Sequence, residues 1–428
     1  GINAEYGEPM CDCQCRNKII ESAKELIAQM KDLKVCLKNK DWLRTWDMTK
    51  EELNATYLAA MILEKFTKVN IDCTAFAGSI AVCEFRDNST RTRFSFFKAC
   101  TLLGLNPVEL DVGKSQIAHG ETVRETAAMI SFLSEIMAIR DDKYIHEGHV
   151  YQAEVAKCLN EAYEEKVLDR RTTVLNLQCD QDHPTQSMSD LIHIIKHFGG
   201  EQNLKGKKIC MSWAYSPSYG KPLSVAQSII NLLPRYGADV YLAYPEGYDL
   251  LPDIVEQAKI GAKEGHGSLT VTNNMDEALK DAEVIYCKSW APYNILEKKR
   301  DLIRAGKGDS QEMKDMEKAG LEINATHKDW TVTEEKMKLT KPTFSHIFNK
   351  QLNEAEYMHC LPADITGLSC KDGEVQQEVF ERHRVATYLE AKNKPFVQAA
   401  MILLTRFDDA AGLLEKMLEK GDKRRKFD

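Results

Sequence analysis

What most constrains this chain is a repeated alternation of short β-branched or aliphatic runs with stretches of helical spacing. Ile80–Phe85, Pro107–Asp111, Ile136–Arg140 and Thr173–Gln178 read as strands. Between and after them, Arg91–Leu103, Glu121–Leu133, Val150–Glu164 and Thr185–Phe198 read as helices, and Phe96, Phe97, Cys100 and Leu103 fall on one helical face. Strands joined through helices run parallel, and a parallel sheet is covered on both faces. A glycine- and lysine-rich stretch at Gly199–Gly206 then reads as a link. The pattern restarts with strands at Lys208–Trp213, Asp239–Tyr244, Ser268–Thr272, Glu283–Lys288, Glu356–Cys360 and Arg384–Thr387. Helices at Leu223–Arg235, Leu251–Lys263 and Met275–Lys280 fill the gaps.

The expected fold is therefore α/β, with two doubly wound parallel-sheet domains facing a shared cleft. Residues 1–40 form an amino-terminal extension and residues 41–198 a first domain, which a final helix over 395–428 completes. Residues 205–390 form the second domain. It is interrupted over 296–350 by a Lys/Glu-rich helical insert, read as a solvated excursion. Open α/β sheets place ligands beyond the carboxyl ends of their strands, so functional motifs should follow strands.

Composition narrows the function classes. At 428 residues with 43% hydrophobic and 29% charged, the chain can build two cores and does not resemble a disordered segment. Its net charge of -8, with no dense basic block before Lys423, argues against a general nucleic-acid binder. The longest uncharged stretch, Pro222 to Pro234, has 13 residues and two prolines, too short to cross a bilayer. No secretion-type leader opens the sequence, and thirteen cysteines scattered through apolar runs read as reduced thiols. A soluble cytoplasmic protein is expected. Cys11, Cys13 and Cys15 form a C-x-C-x-C cluster without a histidine nearby, read as an inert terminal segment rather than a metal site.

Four polar motifs follow strands. Ser89-Thr90-Arg91-Thr92-Arg93 opens a helix, where free N–H groups, hydroxyls and a guanidinium suit an anion; an ordinary N-cap would read the same way. Arg140 ends an apolar strand. His183-Pro184-Thr185-Gln186 leads into the next helix, and His359-Cys360-Leu361-Pro362 follows a strand of the second half. Each alone could be punctuation or core.

In this order, the four together resemble the aspartate/ornithine carbamoyltransferase family, from about Leu43 onward. Gly113–Thr122 is similar to that family's mobile loop, which reaches a neighbouring subunit's site. The resemblance implies a transferase that needs no metal or organic cofactor and takes carbamoyl phosphate and an amine acceptor. Ser89, Thr90, Arg91 and Thr92 would hold the phosphate, with Gln116 added from an adjacent protomer of a homo-oligomer, expected to be a trimer. Thr92, Arg140 and His183 would surround the carbamoyl oxygen, with Gln186 near its amino group. Cys360 and the Leu361 carbonyl would orient the carbamoyl group, and Lys394 would reach the same ligand. Charge developing on the carbonyl oxygen would then meet preorganised donors.

The acceptor region departs from the familiar pattern. The ornithine-type Asp-x-x-x-Ser-Met-Gly is set against Ile285-Tyr286-Cys287-Lys288-Ser289-Trp290-Ala291-Pro292, so Ile285 stands for the acid. Lys288, Ser289 and Trp290 are the expected acceptor-binding residues. The proline-containing segment Trp213–Pro222 resembles the loop of the knotted branch of the family, which implies a trefoil knot in the second domain. The nearest branch is linked to purine or ureide breakdown and implies an acceptor other than ornithine or aspartate, related to 2,3-diaminopropionate. An ornithine enzyme with a divergent acceptor site and a non-catalytic paralogue remain the alternatives.

Overall fold

The computed structural model describes residues 14–111, 121–218 and 221–422. Gln116, Cys11 and Cys13 lie outside the described residues, as do Tyr219 and Gly220 of the proline-containing segment.

The chain divides into two compact units. In the described residues the first comprises 14–141, 148–179 and 392–422, and the second comprises 142–147 and 180–391. Residues 180–198, which the sequence reading groups with the first half, pack in the second unit.

The first unit holds four parallel strands: β1 (Ile80–Phe85), β2 (Asn106–Leu110), β3 (Ser134–Asp141) and β4 (Thr173–Cys179). Their order is β2-β1-β3-β4. The chain enters at β1, moves outward to β2 and returns to β3. Strand order therefore reverses between β1 and β3, the place where an open sheet leaves a crevice at its carboxyl ends. The turn after β1 carries Ser89, and Arg140 sits near the end of β3.

The outer edge of β4 is closed by residues 41–43. The Trp42 N–H donates to Val174 O at 3.0 Å and the Asn176 N–H to Trp42 O at 2.9 Å, which removes an exposed ladder edge. Asp41 reinforces the join by accepting from the Val174 N–H and from Arg171. Helix Lys50–Lys68 begins in a Thr49/Glu52 capping box. Helix Lys394–Arg406 packs against it and against helix Arg91–Leu103, burying Val397 through Thr405 without interruption. The carboxyl-terminal segment thus returns to the first unit and delivers Lys394 there.

The second unit holds β5 (Lys208–Trp213), β6 (Asp239–Ala243), β7 (Ser268–Thr272), β8 (Val284–Lys288) and the short strand Glu356–Met358. All pair in parallel, in the order Glu356–Met358, β8, β5, β6, β7. Here the order reverses between β5 and β8. The segments leaving these two strands, and the one leaving Met358, carry the unit's polar motifs. Helix Pro184–Phe198 starts on a proline at its first turn and ends at Gly199 in the left-handed region (φ 78°).

Two expectations are corrected. Arg384–Thr387 lies inside helix Gln377–Ala391, not in a strand. Val379, Phe380, His383, Ala386, Thr387 and Glu390 are buried, a spacing of three and four that outweighs one short β-branched run. Residues 296–350 are not simply a solvated excursion. Trp330 packs edge-on against Trp213 with ring centroids 6.2 Å apart, and Val332 forms a bridge with Val375. Ile285 lies within β8, fully buried and paired with Cys210 and Tyr357, so the residue at that strand's carboxyl end is Lys288. Among the described residues, no helix is long and apolar enough to cross a membrane.

Candidate active site

In the first unit, helix Arg91–Leu103 opens with the Ser89 hydroxyl accepting from the Thr92 N–H at 3.2 Å. This turns the Ser89–Thr92 segment so that the first N–H groups face outward from the helix start. Thr92 is buried, whereas Thr90 and Arg91 are exposed and remain available to a ligand. The Lys394 ammonium lies 3.4 Å from the Thr92 hydroxyl oxygen. Arg93 is drawn away by Glu109 at 2.9 Å and by the Phe85 ring, which makes it a structural arginine.

Arg140 pairs in register with Phe85, next to where the motif begins, just after a register shift between Ile139 and Arg140. Its carbonyl accepts from the Arg86 N–H at 2.9 Å. Arg86 is itself fixed by the fully buried Glu84 (2.8 Å) and lies 3.6 Å from the Tyr151 ring centroid. The Tyr151 hydroxyl donates to the same Glu84 carboxylate at 2.9 Å. Glu84, Arg86 and Tyr151 therefore tie the turn after β1 to β3, a support that sequence reading missed. Ser89, Thr90, Arg91, Thr92, Arg140 and Lys394 all belong to this unit.

His183, Gln186, Lys288, Ser289, Trp290, Cys360 and Leu361 belong to the second unit. The His183 N–H donates to Ser228 Oγ at 2.7 Å, which anchors the start of helix Pro184–Phe198. The Gln186 amide nitrogen donates to Asp190 (3.0 Å) and Glu390 (3.3 Å), fixing the orientation of its side chain. Trp290 is fully buried with its indole N–H on Tyr248 O at 2.9 Å, so it shapes the wall and does not present a polar tip. Lys288 is 3% exposed, and its ammonium donates to the carbonyls of Pro222 (2.9 Å) and Ser289 (2.8 Å). Burial lowers its pKa.

At the centre of this unit's polar segments sits Glu374, fully buried. It accepts from Lys221 (2.9 Å), the Ser289 N–H (2.8 Å), the Asp364 N–H (2.9 Å) and His359 Nε2 (3.1 Å). Burial opposes its charge, but His359, Lys221 and the Asp364 N–H hold it well below the usual carboxylate range. Lys221 also reaches Asp364 at 2.7 Å, and Ser216 bonds the same carboxylate oxygen. Burial would strip Lys221 of its proton, yet Glu374 and Asp364 raise its pKa.

His359 Nδ1 accepts from the Leu361 N–H at 2.8 Å. Burial opposes charge on this ring while Glu374 favours it, and the balance raises its pKa to about 9. The Leu361 contact pulls the other way, because only a ring without a proton on Nδ1 can accept it. That bond selects the neutral tautomer with its proton on Nε2, facing Glu374. Burial likewise opposes a thiolate at Cys360, while a charged His359 and Lys288 would favour one. With His359 neutral, Lys288 remains the cation acting on this partly exposed thiol. Leu361 itself adopts φ 57° and precedes a cis peptide to Pro362. A left-handed leucine costs roughly 1–2 kcal/mol, and the His359 contact opposes that cost.

Glu374, Lys221, Asp364 and Ser216 were missed in the sequence. Lys221 lies in the proline-containing segment already singled out, which was a usable signal. Glu374 follows Asp372-Gly373, a pattern indistinguishable from a surface turn.

The family model for the aspartate/ornithine carbamoyltransferase carbamoyl-phosphate-binding domain matches residues 40–196. The model for the Asp/Orn-binding domain matches residues 219–405. The YgeW protein of Escherichia coli (strain K12) is 51% identical over 406 residues, covering 95% of this chain and all of that protein. Ornithine carbamoyltransferase of Bacillus subtilis (strain 168) is 28% identical over 366 residues, covering 86% of this chain and 93% of the other. Among solved structures, ornithine carbamoyltransferase from Pyrococcus furiosus matches with a TM-score of 0.65 at 26% identity, over 87% of this chain and 98% of that one. An acetylornithine transcarbamylase complexed with acetylcitrulline shares the fold, with a TM-score of 0.65 at 24% identity, over 85% of this chain and 98% of the other.

Proposed function

We propose, for a chain that belongs to the aspartate/ornithine carbamoyltransferase family, the following division of work within a carbamoyl phosphate-dependent transfer. Ser89, Thr90, Arg91 and Thr92 bind the phosphate at a helix start, and Lys394 adds a cation beside Thr92. Arg140, His183 and Thr92 stabilise charge on the carbamoyl oxygen, and Gln186 contacts its amino group. Cys360 and the Leu361 carbonyl orient the carbamoyl group. An uncharged amine attacks the carbamoyl carbon, the bond to phosphate oxygen breaks, and phosphate leaves with the proton the amine sheds.

The observation that carries this reading is the set formed by the Ser89 cap, exposed Arg91, Lys394 near Thr92 and Arg140 in register with Phe85, all in one unit. The reading draws residues from both units, so it needs them to meet over the ligand in a shared cleft. It further takes the protein as cytoplasmic, with a knotted second unit and a trimer in which Gln116 of one protomer serves the site of the next.

The acceptor is proposed to be a small amino or ureido acid related to 2,3-diaminopropionate, in purine or ureide breakdown, with the reaction running toward carbamoyl phosphate. Lys288, Ser289 and Trp290 border its site, Lys288 through its hold on the Pro222 and Ser289 carbonyls. The test is a screen of ornithine, diamino acids and ureido acids for phosphate-dependent carbamoyl exchange. Exchange with one non-ornithine acceptor supports the reading; turnover of ornithine at a rate matching every other amine replaces it with the ornithine alternative.

A further inference from the structure

From the hub in the second unit we infer that Glu374 is the positioning residue for the carbamoyl-orienting segment, acting through His359 on Leu361. The inference rests on the carbamoyltransferase reading and adds to it a residue that none of the motifs contains.

A fully buried carboxylate with four donors from three separate segments is not surface decoration. Lys221 comes from the segment after β5, Ser289 from the end of β8, and His359 and Asp364 from either side of Cys360 and Leu361. Glu374 therefore gathers all the strand-end segments that flank the topological reversal of this sheet. Its charge also has a directional effect. It fixes a proton on His359 Nε2, and the Leu361 N–H, which needs an acceptor, keeps Nδ1 bare; together the two contacts select one neutral tautomer. The peptide at Leu361, in its left-handed conformation, is thus set by a carboxylate two bonds further along the network. Removing the charge frees the ring to adopt the other tautomer, which would place two N–H groups against each other at Leu361.

This relay acts on the carbamoyl end of the ligand and leaves the phosphate end alone, so the two ends can be read separately without knowing the acceptor. Calorimetry on the full-length protein compares carbamoyl phosphate with inorganic phosphate. The native protein should prefer carbamoyl phosphate at least tenfold. Glu374→Gln should lose about tenfold in carbamoyl phosphate affinity and keep phosphate affinity within twofold. Glu374→Asp, which retains the charge, should recover most of the loss. Iodoacetamide labelling of Cys360 gives a second readout. With His359 neutral, loss of the anion should move the labelling profile to lower pH; a move to higher pH would show an imidazolium and overturn the tautomer argument.

Full carbamoyl phosphate affinity in Glu374→Gln overturns the inference while leaving the carbamoyltransferase reading intact. Equal losses for both ligands overturn it too, since they indicate only structural damage. Failure of the native protein to bind either ligand overturns the functional reading itself. If Glu374→Gln does not fold, His359→Gln takes its place: it keeps a donor toward Glu374 and removes the acceptor under Leu361. The same selective loss is expected there, and an unchanged preference for carbamoyl phosphate overturns the inference.

Discussion

Replacing Glu356 by glutamine should lower stability by up to about 3 kcal/mol in mild acid and by much less at pH ~3. Glu356 lies on the short strand Glu356–Met358 and is 1% exposed. One of its oxygens lies 3.1 Å from His193 Nε2 and 3.2 Å from His197 Nδ1. Burial opposes its charge, but His193 and His197 overcome burial and lower the pKa to about 2, from 4.5 for a free glutamate. Burial also lowers the pKa of His197 itself, so its share of the pairing is greatest in mild acid. A depressed folded pKa means the unfolded chain binds the proton first as pH falls. The contribution is therefore complete above 4.5 and is lost as pH falls through 2. Such a difference is worth about 3 kcal/mol, and the same linkage leaves about 1 kcal/mol at pH ~3. Urea unfolding followed by tryptophan fluorescence, on both proteins between neutral pH and pH ~3, measures the gap. A gap that stays constant across that range would refute the ion-pair account and leave only a packing effect.

Other outcomes follow from the same geometry. Arg91→Ala should weaken carbamoyl phosphate binding by about a hundredfold, since a bidentate charged contact is worth roughly 1.5–3 kcal/mol; because Arg91 is exposed, its melting temperature should match the native protein's. Unchanged affinity in calorimetry would remove the phosphate site. Tyr151→Phe takes one donor from fully buried Glu84 and should cost about 1–3 kcal/mol in urea unfolding; an unaltered midpoint would mean that Arg86 alone satisfies the carboxylate. On the proposed reading, sedimentation equilibrium should report a trimer, and a fully active monomer would contradict a site that borrows Gln116 from a neighbour.

Much of the fold could be read from local pattern because β1, β3, β4, β5 and β8 are buried on both faces. The runs at Ile80, Thr173 and Lys208 survive as β1, β4 and β5 with the same starting residues. Helix starts were less visible where a cap decides them. Thr122 accepts from the Glu125 N–H at 3.2 Å, so that helix begins at Val123 and not at Glu121. The failure at Arg384–Thr387 was one of window length, since four residues cannot show a helical period that fifteen make plain. Within the site, residues that touch ligand in the proposed reading stand in recognisable strings after strands. The residues that hold those strings do not. Glu84, Tyr151 and Glu374 act through contacts 67, 67 and 15 residues away, and no spacing rule encodes such partners.

On the proposed reading, the chemistry at the carboxyl end of β8 bears on the acceptor. Lys288 stands there with its ammonium sealed against two carbonyls, and Lys221 stands nearby, so both fixed cations belong to the same wall. Their counter-charges are Glu374, wholly buried, and Asp364, whose side chain is 16% exposed and already held by Lys221 and Ser216. An acceptor bringing a second ammonium to this wall would have to compete for Asp364 against a lysine 2.7 Å away, with the repulsion of Lys288 added. An acceptor bringing a carboxylate or a neutral ureido oxygen would meet Lys221 directly and leave both carboxylates paired. On the proposed reading, that asymmetry disfavours any acceptor with an α-ammonium beside its reacting amine, ornithine and 2,3-diaminopropionate itself alike, and favours a related acid with a single free amine and an uncharged nitrogen elsewhere. It also explains why a lysine at the end of β8 need not bind the acceptor itself: by holding the Pro222 and Ser289 carbonyls it fixes the two segments that carry Lys221 and the Glu374 contact.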